Sequence, residues 1–154
     1  MINSSSRTEQ EFTSSPPTPA ATLDVLLLSF RLQGYLSSLL AQESKDYGLG
    51  PAEAIALIAL TRGPIPISGV AKAAGIRPNG ASVLVERLRL RQLVHRQRSR
   101  RDSRVVTVEL TDAGKEAADK LIARVGDQMR FVLSPLPSVE RENLILLLSR
   151  LVGP

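Results

Sequence analysis

The sequence predicts a mainly α-helical protein with a small β-hairpin. Apolar residues recur at helical spacing in six segments, and two strand-like runs, Leu93 to Arg98 and Arg104 to Leu110, flank an arginine-rich tip. Nine arginines and two acids between residues 77 and 104 give that stretch a formal charge of +7, whereas the whole chain carries +5. The remaining residues therefore sum to −2. Positive charge concentrated in this way is typical of a nucleic-acid-binding surface.

Composition excludes several classes of protein. The chain has 154 residues, 43% of them hydrophobic, which predicts one domain with its own core. It has no cysteine and a single histidine, His95, so the sequence predicts no disulfide, no metal site, no cofactor and no enzyme. Aromatic residues make up 3%, which argues against a surface that stacks single-stranded bases. No apolar run of membrane-spanning length and no secretion signal are recognised, which predicts a cytoplasmic, nucleoid-associated protein without membrane contact.

The first third of the chain predicts an arm and two helices. Residues 1–20 are rich in Ser, Thr and Pro and are expected to form a flexible arm. A leucine-rich helix is expected from Thr22 to about Lys45. Pro51 then opens a second, buried helix, because proline is favoured at the first helical position. Gly63-Pro64 ends that helix, and residues 65–67 are expected to be extended.

The middle of the chain predicts a helix-turn-helix followed by a wing. A short helix from Ser68 to Ala74 is separated by Gly75-Ile76 from a longer helix that runs from Pro78 to about Arg91. The inward face of the longer helix is expected to contain Val83, Leu84 and Leu88, with Val85 as a further candidate. A basic hairpin directly after such a recognition helix is a wing, and the combination is more specific than either half.

The C-terminal part predicts two further helices. Thr111 caps a helix to about Leu133, and Ser138 starts the last one. Together with the first helix they carry more apolar surface than a small winged helix can cover, so a second copy of the chain is expected to cover it. The predicted organisation is a single domain over 21–154, with dimerisation helices at 21–47 and 112–152 around a winged helix-turn-helix at 51–110.

At this point the sequence resembles the MarR family of winged-helix transcriptional regulators, over about Leu23 to Leu151. The most specific elements are Asp102-Ser103-Arg104 in the wing, which is similar to the family's Asp-x-Arg, and the run LTDAGK at Leu110 to Lys115. Gln92 departs from the pattern, because the family usually has a left-handed glycine there. Keeping that conformation with glutamine costs roughly 1 kcal/mol, so a slightly different helix end is expected.

The predicted DNA contacts come from the recognition helix and the wing. Arginine recognises guanine and asparagine recognises adenine in the major groove, while serine suits phosphate. Arg100 or Arg101 is expected to enter a minor groove. Asp102 is expected to pair with Arg104 or another wing arginine and hold the shape of the tip, a role that the resemblance supports. Arg89 and Arg91 are expected to face solvent or distant phosphates, and His95 to be a strand-surface or packing residue. The predicted DNA-binding residues are Arg77, Asn79, Ser82, Arg87, Arg98, Arg100, Arg101 and Arg104.

The resemblance also implies a small-molecule effector, often aromatic or anionic, bound between the dimerisation helices and the winged domain. Arg31, Tyr35 and Tyr47 are the candidates to line such a site. Arg31 and Tyr35 also have an ordinary interpretation as amphipathic surface or dimer packing.

The leading hypothesis is a homodimeric, sequence-specific regulator of transcription, expected to be a repressor, that binds a palindromic duplex site. Two alternatives remain open at the level of sequence. The protein could be an architectural binder that coats DNA by charge alone. It could also be a winged helix that contacts an acidic protein partner.

Overall fold

A computed structural model describes residues 18–98 and 106–153. Helix α1 (Pro19–Ser44) continues into one turn of 3₁₀-helix (Lys45–Tyr47), and the remaining elements follow in chain order: α2 (Pro51–Leu60), β1 (Ile65–Pro66), α3 (Ile67–Ala74), α4 (Pro78–Leu90), β2 (Val94–Arg98), β3 (Val106–Leu110), α5 (Asp112–Leu133) and α6 (Ser138–Val152). The predicted class, mainly helical with a small sheet, is confirmed.

Contacts divide the chain after Gly34 into two units. The described part of the first unit is the beginning of α1, which exposes a run of large apolar side chains: Leu23, Val25, Leu26, Leu27, Leu28, Phe30 and Leu32. Within the described residues, the helical segment Pro19–Tyr47 is long and apolar enough to cross a membrane, judged by length and composition alone. The expectation that no segment reaches that length is therefore wrong for this helix.

The second unit, from Tyr35 onward, contains the hydrophobic core. Leu57 of α2, Val70 of α3, Leu88 of α4 and Leu121 of α5 are fully buried within it. The two long strands add Val94, Val108 and Leu110. Each helix contributes one apolar stripe, so the winged helix-turn-helix and the first half of α5 share a single core.

The wing belongs to a three-stranded antiparallel sheet in the order β1-β3-β2. Strands β2 and β3 pair from Val94 opposite Leu110 to Arg98 opposite Val106. Ile65 pairs with Val108 and Pro66 with Thr107, so the first two residues of the extended piece predicted at 65–67 form the third strand, whereas Ile67 already begins α3. The sheet therefore anchors the base of the wing to the connection between α2 and α3.

Helix α6 has no buried residue. Its exposed apolar side chains cover much of its length: Val139, Ile145, Leu146, Leu147, Leu148, Leu151 and Val152. The single chain therefore leaves uncovered the apolar surface that the sequence assigned to a partner.

Candidate nucleic-acid interface

Helices α3 and α4 meet at a tight turn that begins at Gly75. The φ angle of Gly75 is 64°, a left-handed value that glycine adopts without steric cost. Its N–H donates to the carbonyl of Lys72 (3.2 Å), and the N–H of Ile76 donates to the carbonyl of Ala71 (3.0 Å). These are the hydrogen bonds of a Schellman C-cap. Pro78 then occupies the first position of α4. Because only this short turn separates α3 from α4, the two helices form a helix-turn-helix, with α4 as its second helix.

Helix α4 packs on the core through one stripe and leaves its other face exposed. The buried stripe is formed by Ala81, Leu84, Val85 and Leu88. The four residues predicted to contact DNA from this segment all lie outside that stripe and are exposed: Arg77, Asn79, Ser82 and Arg87. Arg77 is the N-cap, and Asn79 and Ser82 lie in the first half of the helix. The exposed face of the N-terminal half of α4 therefore presents the polar residues Asn79 and Ser82 beside the basic N-cap Arg77.

Val83 was predicted to face inward, and this prediction is wrong. Its side chain is 54% exposed, whereas the neighbouring Leu84 and Val85 are buried. Successive helical residues are turned by about 100°, so three consecutive apolar residues cannot all face the core. Ala81 completes the buried stripe instead, and Val83 lies on the outer face.

Glu86 holds two arginines on the flank of α4. Arg89 donates to both carboxylate oxygens of Glu86, at 3.0 and 2.7 Å. Arg96 of β2 has a nitrogen 3.8 Å from the same carboxylate and donates to the carbonyl of Ser82 at 3.4 Å. The hydrogen bond from Arg89 lowers the pKa of Glu86 below its ordinary value, and the charges of Arg89 and Arg96 add to this. Both arginines are therefore partly neutralised by α4 itself.

Arg91 caps a different segment of the chain. One of its terminal nitrogens donates to the carbonyl of Gly48 (2.8 Å), and the other donates to the carbonyl of Tyr47. Arg91 is exposed, as predicted, and its guanidinium has a structural role in addition. The planar guanidinium suits this role because its donors are held in a fixed fork. The end of the recognition helix is thereby tied to the connection between α1 and α2.

Gln92 closes α4 in the left-handed conformation, with a φ angle of 59°. Its N–H donates to the carbonyl of Arg89 (2.9 Å), and the N–H of Leu93 donates to the carbonyl of Leu88 (3.0 Å), which completes a second Schellman motif. The expectation that the helix end would change to avoid this conformation is wrong. The two hydrogen bonds and the packing of Leu93 against the core hold Gln92 in place.

The start of α5 is fastened to the same point. Thr111 is the N-cap of α5, as predicted, and its hydroxyl oxygen accepts from the N–H of Gly114 (3.0 Å). The hydroxyl of Thr111 donates to the carbonyl of Gln92 (2.6 Å), and the N–H of Thr111 donates to the carbonyl of Leu93 (3.1 Å). A Cβ at Gly114 would lie 1.9 Å from the carbonyl oxygen of Leu93. We call Gln92, Leu93, Thr111 and Gly114 the wing junction.

The wing strands carry the remaining predicted contacts. Arg98 ends β2 and is exposed. The predicted residues Arg100, Arg101, Asp102 and Arg104 lie outside the described residues. His95 is exposed on β2, as predicted, with its Nε2 3.4 Å from the carboxylate of Glu109.

The three candidate effector residues have different surroundings. Tyr35 is half exposed and lines a cavity of about 140 Å³ with Ser38, Leu39, Gln42, Glu43 and Gln128. Tyr47 is partly buried against the core of the second unit. Arg31 is exposed in the described part of the first unit.

Arg124 of α5 was not anticipated from the sequence. It donates to the carboxylates of Glu43 (2.9 Å) and Asp46 (2.8 Å). The hydrogen bonds that Arg124 donates to Asp46 and then to Glu43 raise the pKa of its guanidinium. Glu43 is buried, so this contact supplies the partner that a buried carboxylate requires. The partners are separated by 81 and 78 residues, so no local pattern signals the contact.

These elements define a winged helix-turn-helix protein. A family model described as MarR family matches residues 47–105, which include the helix-turn-helix and β2. The resemblance predicted from the sequence is thereby confirmed: residues 47–105 match the model of the MarR family, and the solved structures of similar fold include a MarR-family transcriptional regulator from Silicibacter pomeroyi.

Two curated relatives and one solved structure illustrate the similarity. The chain is 26% identical over 110 residues to the uncharacterized HTH-type transcriptional regulator YkoM of Bacillus subtilis (strain 168), covering 71% of each chain. It is 25% identical over 83 residues to the HTH-type transcriptional repressor MdtR of the same organism, covering 53% of this chain and 54% of that protein. The structure of CouR from Rhodococcus jostii RHA1 bound to p-coumaroyl-CoA has a TM-score of 0.78 at 22% identity, covering 86% of this chain and 94% of that chain.

Proposed function

We propose that this chain is a sequence-specific, double-stranded-DNA-binding transcriptional repressor that acts as a homodimer on a roughly palindromic site. One observation carries the proposal: the exposed first half of α4 presents Arg77, Asn79 and Ser82, with Arg87 one further turn along. An α-helix fits the major groove, where arginine pairs with guanine and asparagine with adenine. The packing of α4 on the core leaves this surface free to enter the groove.

The charge distribution supports duplex DNA as the partner. The stretch from residue 77 to residue 104 carries the net positive charge of the chain. Arg98 lies at the end of β2, where the chain enters the wing tip. We propose that Arg100 or Arg101 enters a minor groove, that Arg104 contacts a phosphate or that groove, and that Asp102 pairs with Arg104 or another arginine of the wing. Phosphate neutralisation by these residues would supply affinity, while α4 supplies sequence preference.

Apolar surface on α1 and on α6 supports the homodimer. Each helix by itself exposes a row of leucines and other large apolar side chains. Exposed apolar surface of this extent marks an interaction site. A bilayer is a poorer occupant for α1, because Asp24 and Arg31 lie within it and each charge costs about 3 kcal/mol at a bilayer centre. We therefore assign these faces to a second copy and place the protein in the cytoplasm, at the nucleoid.

Repression and release by a ligand follow by analogy. MdtR is named a repressor, and CouR has been solved with p-coumaroyl-CoA. A small molecule that changes the separation of the two recognition helices would weaken DNA binding, because both must fit successive major grooves. Arg31, Tyr35 and Tyr47 stay the candidate contacts. The cavity beside Tyr35, about 140 Å³, is smaller than the roughly 300 Å³ that a drug-sized ligand needs, so such a ligand would require additional surface from the dimer.

The test is selection of a random duplex library by the purified protein at near-physiological salt, followed by sequencing. An inverted repeat with half-sites about 34 Å apart is expected. Binding without enrichment would favour the architectural alternative, and no binding at low salt would favour a protein partner. Sedimentation at micromolar concentration is expected to give a dimer, and a stable monomer would refute the two-fold arrangement.

Two substitutions separate base recognition from charge. Arg77→Ala is expected to change the enriched sequence, because Arg77 is proposed to contact bases. Arg101→Ala is expected to weaken binding to every duplex and to reduce the salt slope by about one, because it removes one positive charge from the DNA-binding surface. Lys120→Ala is the charge-matched control, since Lys120 lies on α5 and pairs with Glu116. If neither arginine substitution differs from that control, the proposed surface is wrong.

A further inference from the structure

The outer face of α4 has an apolar residue at its centre. Asn79, Val83 and Arg87 follow one another at four-residue intervals, so they are neighbours on one face of the helix. This face is opposite the buried stripe, and the side chain of Val83 is 54% exposed. Val83 thus stands between the two side chains with the best chemistry for recognising bases.

A surface depression lies beside Val83, between α4 and the start of α2. Its volume is about 420 Å³, and its lining includes Pro51, Ile76, Gly80, Val83, Leu84 and Arg87. A Cβ added at Gly80 would meet only Ile76, at 3.8 and 4.0 Å. Because Gly80 has no side chain, the surface of α4 is recessed at this position. Val83 therefore borders an open depression whose lining is apolar apart from Glu53 of α2 and Arg87.

Core packing does not account for a valine at this position. A β-branched residue loses side-chain freedom in a helix and is a weaker helix former than alanine or leucine, and the exposed position offers little burial in return. In the major groove the apolar group available for contact is the C5 methyl of thymine. We infer that Val83 is a specificity-determining residue that recognises the C5 methyl group of one thymine in each half-site. This inference rests on the proposed function.

The contact predicts a discrimination that hydrogen bonds do not provide. Uracil has the hydrogen-bonding edge of thymine and lacks only the methyl group. Loss of one buried methyl contact is expected to weaken binding about four-fold per half-site, and on the order of ten-fold or more when both half-sites change. Asn79 and Arg87 would continue to recognise their own bases.

The experiment replaces each thymine of the selected duplex, one position at a time and in both half-sites, with deoxyuridine. Dissociation constants are measured for the wild-type protein, Val83→Ala, Val83→Thr and Leu90→Ala. Val83→Thr retains one methyl group and nearly the same shape. Leu90 is the control because it is an exposed apolar residue at the far end of α4, away from the N-terminal half that contacts bases in helix-turn-helix proteins.

The expected result is one thymine per half-site at which deoxyuridine weakens the wild-type and Leu90→Ala proteins, has less effect on Val83→Thr, and has least effect on Val83→Ala. An enriched inverted repeat without thymine, or one in which deoxyuridine has no effect at any position, would overturn the inference and leave the proposed function intact. Equal sensitivity of Val83→Ala and wild type would also overturn it. Failure to enrich any sequence would refute the proposed function and the inference with it.

Discussion

Replacing Gln92 with glycine should stabilise the protein. Gln92 is the one described non-glycine residue with a positive φ angle, 59°, and it occupies the C′ position of the Schellman motif that ends α4. A side chain with a Cβ is strained in this conformation, whereas glycine adopts it freely. The hydrogen bonds at this position use backbone groups of Gln92, so they remain available in the variant.

The magnitude follows from two opposing contributions. Relief of the left-handed conformation is worth about 1–2 kcal/mol. Glycine also increases the entropy of the unfolded chain, which offsets about 0.4–1 kcal/mol. The expected net gain is about 1 kcal/mol, which corresponds to an increase in Tm of about 2–4 °C for a protein of this size.

The assay is urea unfolding monitored by circular dichroism, at fixed protein concentration. Gln92→Ala is the matched control, because alanine keeps the Cβ and should leave the free energy of unfolding nearly unchanged. Gln92→Asn should give an intermediate gain, since asparagine tolerates the left-handed region better than most residues. A Gln92→Gly variant no more stable than Gln92→Ala would show that the helix end is not held in the left-handed conformation.

Two further substitutions, one of them with a matched control, test the surroundings of the wing. Gly114→Ala should lose about 3 kcal/mol of stability or more, because its Cβ would lie 1.9 Å from the carbonyl oxygen of Leu93. Gly126→Ala, in the same helix, is the control and should raise the free energy of unfolding by about 0.5–1 kcal/mol, because its Cβ would meet only the side chain of Arg130 at 3.8 Å. If urea unfolding gave the same change in stability for both variants, the close approach of Gly114 to Leu93 would be contradicted. Arg91→Ala should lower the urea midpoint and leave the salt slope of DNA binding unchanged, because Arg91 donates to protein carbonyls. If Arg91→Ala instead reduced the salt slope of DNA binding by about one, Arg91 would be in contact with a DNA phosphate.

Local signals in the sequence located most of the helices. Pro51 and Pro78 stand at the first positions of their helices, and Thr111 is the N-cap of α5. Proline has no N–H that would be left without a partner at a helix start, and the threonine side chain accepts a hydrogen bond from such an N–H. Both effects depend only on neighbouring residues, so the sequence is enough to predict them. Alternation of Val106, Val108 and Leu110 likewise marked β3.

Features that depend on distant residues could not be found in this way. Arg91 and Arg124 reach partners 43 to 81 residues away, and no periodic pattern announces such a contact. Val83 was misplaced because an apolar run does not reveal which of its members face the core. Gln92 was expected to avoid the left-handed conformation, because glutamine disfavours it. The sequence does not reveal the hydrogen bonds from Thr111 to the carbonyls of Gln92 and Leu93, which hold the helix end in that conformation.

The wing junction determines how the recognition surface can move. Thr111 donates hydrogen bonds to the carbonyls of Gln92 and Leu93, and Gly114 packs directly on Leu93. The end of α4, the start of β2 and the start of α5 are therefore held together by one set of contacts. In the proposed homodimer, a change in the separation of the two α4 helices should therefore displace α4 and the base of the wing together. Hydrogen exchange tests this: the amides of Leu93, Thr111 and Gly114 should be equally protected in free and DNA-bound protein. Rapid exchange of these amides in the free protein alone would show that the junction forms only on DNA, and α4 and the wing would then move independently.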